Sequence, residues 1–406
     1  ATAYVNDIKA DLFDAGTAYI ALDDHKFGRL DPFLLKTTDM GKTWTSIRGD
    51  LPDRTLVWRV VQDHVKPELL FAATEFGIYF TLDGGEKWIK FTKGIPTIPF
   101  RDLGIQRREN DLVGASFGRG FFVLDDYSVL REVTKEKLRE EALLLPVRKA
   151  YWYIEQYRSG SSGADVYRGP NPPFGAVFTY YLKDRYKTKE SVRKEEEKKK
   201  IKAGEDVEFP GWDALAEEKR QEKPAVQLIV KDEQGNVIRN IDAPASKGIH
   251  RVEWDLRYSS VSPVSLESTS SRWTPRGYLA TPGTYSVSMV KIIDGITSEL
   301  AGPLEFEVVP LRKGALEGAS WEDLSAYREA IEDFSATTSA FSIVMSNTSK
   351  KAEAMQKALD NTRQVPGAID SLVHQLKQDL MIMDEKLNGS SAKREVGEKN
   401  APTLRS

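Results

Sequence analysis

The sequence predicts a mainly β protein in three parts: about three blades of an incomplete β-propeller, a β-sandwich, and a C-terminal α-helical hairpin. Three observations carry this. The strings TTDMGKTW (Thr37 to Trp44) and TLDGGEKW (Thr81 to Trp88) share the pattern Ser/Thr-x-Asp-x-Gly-x-x-Trp, and their aspartates, Asp39 and Asp83, lie 44 residues apart. A self-similar period of about 40 to 50 residues is what a propeller blade leaves in a sequence. Strands with period-two alternation follow between Ala176 and Val309. Beyond Pro310, apolar residues recur every three or four positions, as they do on one face of a helix.

The spacing inside the repeated string has a physical cause. An Asp-x-Gly turn between two strands needs a carboxylate that accepts hydrogen bonds from backbone N–H groups, and a glycine where φ is positive. The Ser/Thr hydroxyl adds a further bond, and the Trp after the turn offers a large apolar face to the core. Thr37, Asp39, Gly41 and Trp44, with Thr81, Asp83, Gly85 and Trp88, therefore read as structural staples, and Trp44 and Trp88 as buried.

The strings resemble Asp-boxes (BNR repeats), the motif of sialidase-like and sortilin-type propellers. The flanking text repeats too: Leu70 to Ile78 (LFAATEFGI) precedes the second box, and Leu112 to Phe122 (LVGASFGRGFF) takes the same place in a third unit. There the box has decayed to VLDDYS, Val123 to Ser128. This is similar to the last blade of exported bacterial proteins often labelled glycosyl hydrolase. The resemblance implies an extracytoplasmic location, periplasmic, outer-membrane-associated or secreted.

The units run from about Ala3 to Pro52, Asp53 to Pro96 and Thr97 to Val133, and the propeller region as a whole spans 1–146. Each opens on a short apolar strand: AYVNDIKA, TLVWRVVQ and IPFRDLGIQ. Closed propellers have about 4 to 8 blades, so the remaining blades are expected from the same polypeptide or a partner chain. Leu138 to Pro146 reads as helix-like and ends the region, and 147–175 is a linker, Gly/Ser/Pro-rich from Ser159 to Pro173.

A sandwich is expected over 176–310, with strands at Ala176 to Leu182, Ala225 to Asp232, Ile249 to Leu256, Gly283 to Ile292 and Leu304 to Val309. Gln234-Gly235-Asn236 makes a tight hairpin turn. The succession VKDEQGNVIRNI, HRVEWDL, TPGTYSVSMV resembles the Ig-like module of flagellar-hook-assembly proteins, with Pro282 and Gly283 shaping a turn and Tyr285 packing inward. A charged insertion, 183–223, reads as a solvated helix followed by an aromatic anchor, Phe209 and Trp212, that would dock it on the sandwich. In the hairpin, 311–388, Trp321, Leu324, Tyr327, Ile331 and Phe334 form one stripe, and Leu372, Leu376, Leu380, Met383 and Leu387 another. Ser320 starts the first helix, Pro366-Gly367 separates the two, and 389–406 reads as a disordered tail.

Composition narrows the function. The 58 Lys and Arg nearly balance the 61 Asp and Glu, a poor field for a phosphate backbone, so nucleic acid is not an expected partner. The absence of cysteine removes disulfides, thiolate catalysis and cysteine metal sites. No apolar run reaches the ~18 to 20 residues of a membrane span. His25, His64, His250 and His374 are scattered without metal-ligand spacing, and no phosphate loop, nucleophile elbow or His-Glu-x-x-His string occurs. No cofactor is expected.

What remains is the first strand of each unit, which lines the channel of a propeller. With Ile8, Val60 and Leu103 facing the core, Asp7, Arg59 and Asp102 face the other way, beside Asn6, Trp58 and Arg101. These six and Arg119 are the candidate ligand-binding residues; no catalytic or metal-binding residue is assigned. Two functions stay open. One is a non-enzymatic binding or scaffold protein that offers a propeller face to a polypeptide or glycan, as the sortilin-type resemblance implies. The other is an exported glycoside hydrolase of sialidase or xyloglucanase type, which needs two carboxylates about 5 to 9.5 Å apart across a sugar site.

Overall fold

The computed structural model describes residues 3–155, 169–264, 276–314, 318–363 and 367–404. The chain is mainly β, with five sheets among the described residues and a helical C-terminus. Much of the segment 159–173 lies outside the described residues, as does Pro366.

Three antiparallel sheets come first. The first joins β1 (Tyr4–Ala10), β2 (Ala18–Asp24), β3 (Arg29–Thr37) and β4 (Thr45–Ser46) in chain order. The second joins β5 (Val57–Gln62), β6 (Leu70–Thr74), β7 (Gly77–Thr81) and β8 (Ile89–Lys90), and the third joins β9 (Phe100–Gln106), β10 (Asp111–Ser116) and β11 (Phe121–Leu124). The second sheet is central and buried on both faces. Because side chains alternate along a strand, Leu70 and Ala72 of β6 pack with Tyr19, Ala21 and Leu34 of the first sheet, while Phe71 and Ala73 pack with Phe100, Leu103 and Leu112 of the third. Gly114 allows that close approach: a Cβ there would meet Ile78 Cδ1 at 2.9 Å.

The repeated turns are built alike. In each, the threonine hydroxyl donates to the aspartate (Thr37 to Asp39 and Thr81 to Asp83, both 2.8 Å) and accepts from the glycine N–H (Gly41 and Gly85, both 3.0 Å). Both glycines have positive φ, 84° and 109°. The tryptophans differ. Trp88 is 7% exposed, its indole N–H bonded to Ile47 O and its backbone N–H to Asp50 Oδ1, both in the loop after the first sheet. Trp44 is 37% exposed and its indole bonds only within its own turn, to Gly41 O. The expected burial of Trp44 is thus corrected: no preceding loop among the described residues supplies the seat that Ile47 and Asp50 give Trp88. In the third unit Asp126 instead caps a 3-10 helix, Tyr127–Glu132, accepting from Ser128 N–H.

The helix expected at Leu138 to Pro146 is not formed. A single 3-10 turn, Lys137–Arg139, leads into β12 (Ala142–Leu144), because the chain here pairs with β14 and buries Ala142 and Leu144. There follow β13 (Ala150–Trp152), β14 (Ala176–Leu182), α1 (Lys189–Ala203), α2 (Trp212–Arg220), β15 (Ala225–Lys231), β16 (Val237–Ala243), β17 (Gly248–Trp254), β18 (Gly283–Ile293) and β19 (Ile296–Pro310). They form a three-stranded sheet, β12-β14-β17, and a five-stranded sheet, β13-β19-β18-β15-β16, in which only β13 pairs in parallel. Both sheets contribute to one core in which Phe178, Tyr180, Trp254, Leu228, Val287 and Phe306 are buried. Tyr285 is also buried there, its hydroxyl donating to Thr281 O at 2.6 Å.

The charged insertion forms two helices tied by Arg193 to Glu218 (2.7 Å) and by Lys189 to Glu217. Phe209 and Trp212 do not dock it. They meet edge-on at 5.0 Å and stay 61% and 78% exposed, while the ionic contacts hold α1 against α2. At the C-terminus, α3 (Trp321–Asp360) starts at Ser320, whose hydroxyl accepts from Asp323 N–H, and α4 (Ala368–Asn388) returns along it. The region expected as a disordered tail holds a short helix, α5 (Ser391–Glu395), with Ser390 and Asn400 bonded to each other in both directions. No described helix is long and apolar enough to cross a membrane.

Candidate functional site

The first strands of the three leading sheets are joined by a chain of charges. Asp7 on β1 is 5% exposed; its Oδ1 accepts from Arg59 Nη1 at 2.9 Å and its Oδ2 from the Val60 N–H at 3.2 Å. Arg59 on β5 then reaches Asp102 on β9, Nε to Oδ1 at 3.0 Å. Asn6 ties β1 to β5 independently, donating to Val57 O at 3.0 Å.

One strand is turned over relative to the sequence expectation. Val60 and Leu103 are buried, but Ile8 is 61% exposed and Asp7 is the inward residue. The cause is an irregularity between Val5 and Asp7, where the β1–β2 register shifts by one. An extra residue exchanges the faces of everything beyond it.

Beside this chain lies a second group. The Arg101 guanidinium sits 3.6 Å above the Trp58 ring and 5.4 Å from that of Phe117. Trp58, 8% exposed, donates its indole N–H to Glu75 Oε2 at 3.0 Å, and His25 packs edge-on against its ring at 6.1 Å. His25 in turn bonds Asp23, whose carboxyl is pulled below its ordinary range: burial raises it, and the bonds from the His25 ring and backbone more than offset that. Six of the seven candidate residues thus meet in one cluster. Arg119 is exposed on the turn between β10 and β11 and has no ion pair with them among the described residues.

Glu75, His25 and Phe117 are not among the candidate residues read from the sequence. A signal for two of them existed. The repeated text places Glu75-Phe76-Gly77 and Ser116-Phe117-Gly118 at matching turns, so the turn that supplies Phe117 is the counterpart of the turn that supplies Glu75.

Chemically the cluster is suited to recognition. Asp7 and Asp102 both answer to Arg59, and Glu75 to the Trp58 indole. Arg101, held 3.6 Å over the Trp58 ring with Nη2 3.8 Å from Glu75 Oε2, presents the rest of its guanidinium edge, a group that reads a carboxylate, an amide or a pair of hydroxyls. The box aspartates are committed elsewhere. Asp39 is lowered to about 2 by the Thr43 N–H, then the Thr43 and Thr37 hydroxyls. Burial raises Asp83, but the Lys87 N–H and the Thr81 hydroxyl bring it below its ordinary value.

A second concavity lies where the third sheet meets the later sheets. It is a cleft of about 330 Å³ lined by Glu109, Asp111, Asp125, Arg148, Tyr151 and Tyr153 among others. Beside it, Arg251 of β17 donates to the carbonyls of Asp125 and Asp126 at 2.6 and 2.5 Å. Burial, and then the neighbouring Asp111 charge, push the Asp125 carboxyl up. No repeat in the sequence links the walls of this cleft, which come mostly from between Arg108 and Gly175. No group of three or more His, Asp or Glu among the described residues is placed to hold a metal ion.

No family profile and no curated protein sequence matches the chain. Among solved structures, it is similar to an ancestral GH74 enzyme (15% identity, TM-score 0.25, covering 36% of this chain and 22% of the other). It is also similar to the GH74 xyloglucanase from Xanthomonas campestris (11%, 0.25, 73% and 38%). A third neighbour is the extracellular domain of a putative one-component system from B. thetaiotaomicron (12%, 0.23, 75% and 31%). The chain spans well under half the length of each, and TM-scores of this size carry no functional assignment.

Proposed function

We propose that the chain is a non-enzymatic, extracytoplasmic binding or scaffold module. In this reading the first three sheets are blades of an incomplete Asp-box propeller, whose first-strand face engages a polypeptide or glycan. The two later sheets then form an Ig-like sandwich that, with the helices, carries the blades within a larger assembly.

The observation that carries the binding reading is the pairing of every carboxylate in the cluster. A glycosidase needs one carboxyl free to give a proton and another free to attack or to activate water. Asp7 is buried on Arg59 and the Val60 N–H, Asp102 answers to the same guanidinium, and Glu75 holds the Trp58 indole. Arg101, over Trp58 and 3.8 Å from Glu75, is the group this reading assigns to binding.

Two features support further blades, from the same polypeptide or a partner. Trp44 lacks the seat that Trp88 has. The two sheets that flank the central one also keep large apolar side chains in water: Val5 and Ile8 on β1, Phe121 and Val123 on β11.

The test is an activity screen of the chain against aryl-glycosides and polysaccharides, alongside a binding screen against peptides and glycans. The binding reading predicts retention without turnover. Turnover that disappears in Asp102→Asn or Glu75→Gln would instead establish the glycoside hydrolase.

A further inference from the structure

We infer that the N-terminal half of α3 is a homotypic docking surface, on which a second copy of the chain lays its own α3 antiparallel. This is independent of the propeller reading.

The argument starts from spacing. Along α3, steps of three and four residues alternate without a break through Tyr327, Ile331, Phe334, Thr338, Phe341 and Met345, and continue through Thr348 to Ala352. A 3.5-residue repeat sustained over this length specifies packing against another helix, since only a helix keeps such a stripe in register. For the C-terminal half that helix is α4: Met345 and Ala352 are buried with Leu380 and Leu387. But α4 runs out at Asn388, beside Ser342. Beyond that point Tyr327, Ile331, Phe334 and Phe341 are 66%, 48%, 53% and 43% exposed.

The later sheets leave the stripe uncovered, because they hold another side of α3. Trp321 packs on Trp152 at 4.9 Å, Arg328 donates to Leu279 O at 2.6 Å, and Glu332 accepts from the Tyr278 N–H at 3.4 Å. The helix is fixed with its stripe outward.

Continuity of the existing seam and the flanking residues point to a second copy. A helix entering antiparallel to α3 continues in line from the end of α4, along about 21 Å of uncovered seam at 1.5 Å per residue. The positions beside the stripe are Ala330 and Thr337 on one side and Arg328, Ser335 and Ser342 on the other, and an antiparallel copy centred on Phe334 sets Arg328 against Ser342. A copy meeting its own stripe there brings no like charges together, and the small side chains let the backbones approach. Centring the two-fold axis on Phe334 sets Phe334 against Phe334 and Tyr327 against Phe341, with Ile331 beside Thr338 of the other copy. Such an isologous contact closes as a dimer.

The lack of cysteine makes the test sharp. Phe334→Cys places one thiol per chain on the proposed axis, and Ala340→Cys places one on the same helix off the stripe. Under mild oxidation the first is expected to form a disulfide-linked dimer at least about tenfold faster than the second, and sedimentation should show the native chain dimerising reversibly. The double variant Ile331→Glu/Phe334→Glu should weaken that association at least about tenfold with helix content unchanged. A native chain that stays monomeric, equal cross-linking at both positions, or a double variant that dimerises like the native chain would overturn the proposal.

Discussion

Arg131 clasps Asp63 with two bonds, Nε to Oδ2 at 2.9 Å and Nη2 to Oδ1 at 2.7 Å, and so fastens the segment after the third sheet to the turn between β5 and β6. Asp63 is fully buried and also accepts from the Tyr127 hydroxyl at 2.7 Å and from the Lys66 N–H. The same guanidinium reaches Asn110 Oδ1 at 2.7 Å. One carboxylate therefore organises the join between two sheets and the chain leaving them.

Removing the cation should be costly. Arg131→Met leaves a buried charge uncompensated, and urea denaturation should show a loss of about 3 to 5 kcal/mol. A loss under about 1 kcal/mol would mean that the pair is solvated.

The same pair sets a pH dependence. Burial raises the Asp63 carboxyl, but Arg131 and Tyr127 bring it net below its ordinary value. Its folded value thus lies below its unfolded one. The stability it adds is present above the ordinary carboxylate range of about 4 and is lost as pH falls through the lower folded value. Unfolding midpoints followed from neutral to acid pH should fall in the native chain and fall less in Asp63→Asn.

The two box tryptophans should separate. Trp88→Ala is expected to cost about 3 to 5 kcal/mol as a buried aromatic, whereas Trp44→Ala should cost under about 1 kcal/mol. Equal losses would contradict the unequal seats seen for the two rings.

Much of the architecture is legible in the sequence, and the misses share a cause. The box turns, β14 and the starts of β15 and β18 follow from local chemistry: threonine and glycine at fixed offsets, and alternation between turn residues. Asp7 was assigned to the wrong face because a register shift at Asn6 is not encoded in alternation. Ala142–Leu144 became a strand through pairing with β14, a tertiary partner that local propensity does not register. Asn6, Asp7, Trp58, Arg59, Arg101 and Asp102 lie together because they share one strand position in each unit. The Asp125 cleft was not legible, because no repeat links its walls.

Within the charge chain, the two ends should differ. Asp7 is 5% exposed and bonded to both Arg59 and the Val60 N–H, while the Asp102 side chain is 58% exposed. Asp102→Asn should change stability by under about 1 kcal/mol, as surface pairs do, and Asp7→Ala by about 3 kcal/mol or more. Chemical denaturation of both variants checks the order, and an inverted order would place the buried anchor on the wrong strand.

The account rests most heavily on the Arg101 edge over Trp58 as a binding group, so the most direct measurement compares the native chain with Arg101→Ala on one peptide and glycan array, with turnover of the retained ligands assayed in parallel. The predicted result is a defined set of ligands held without cleavage by the native chain and weakened at least about tenfold by the substitution. Retention unchanged in Arg101→Ala, or cleavage of the retained ligands, would contradict it.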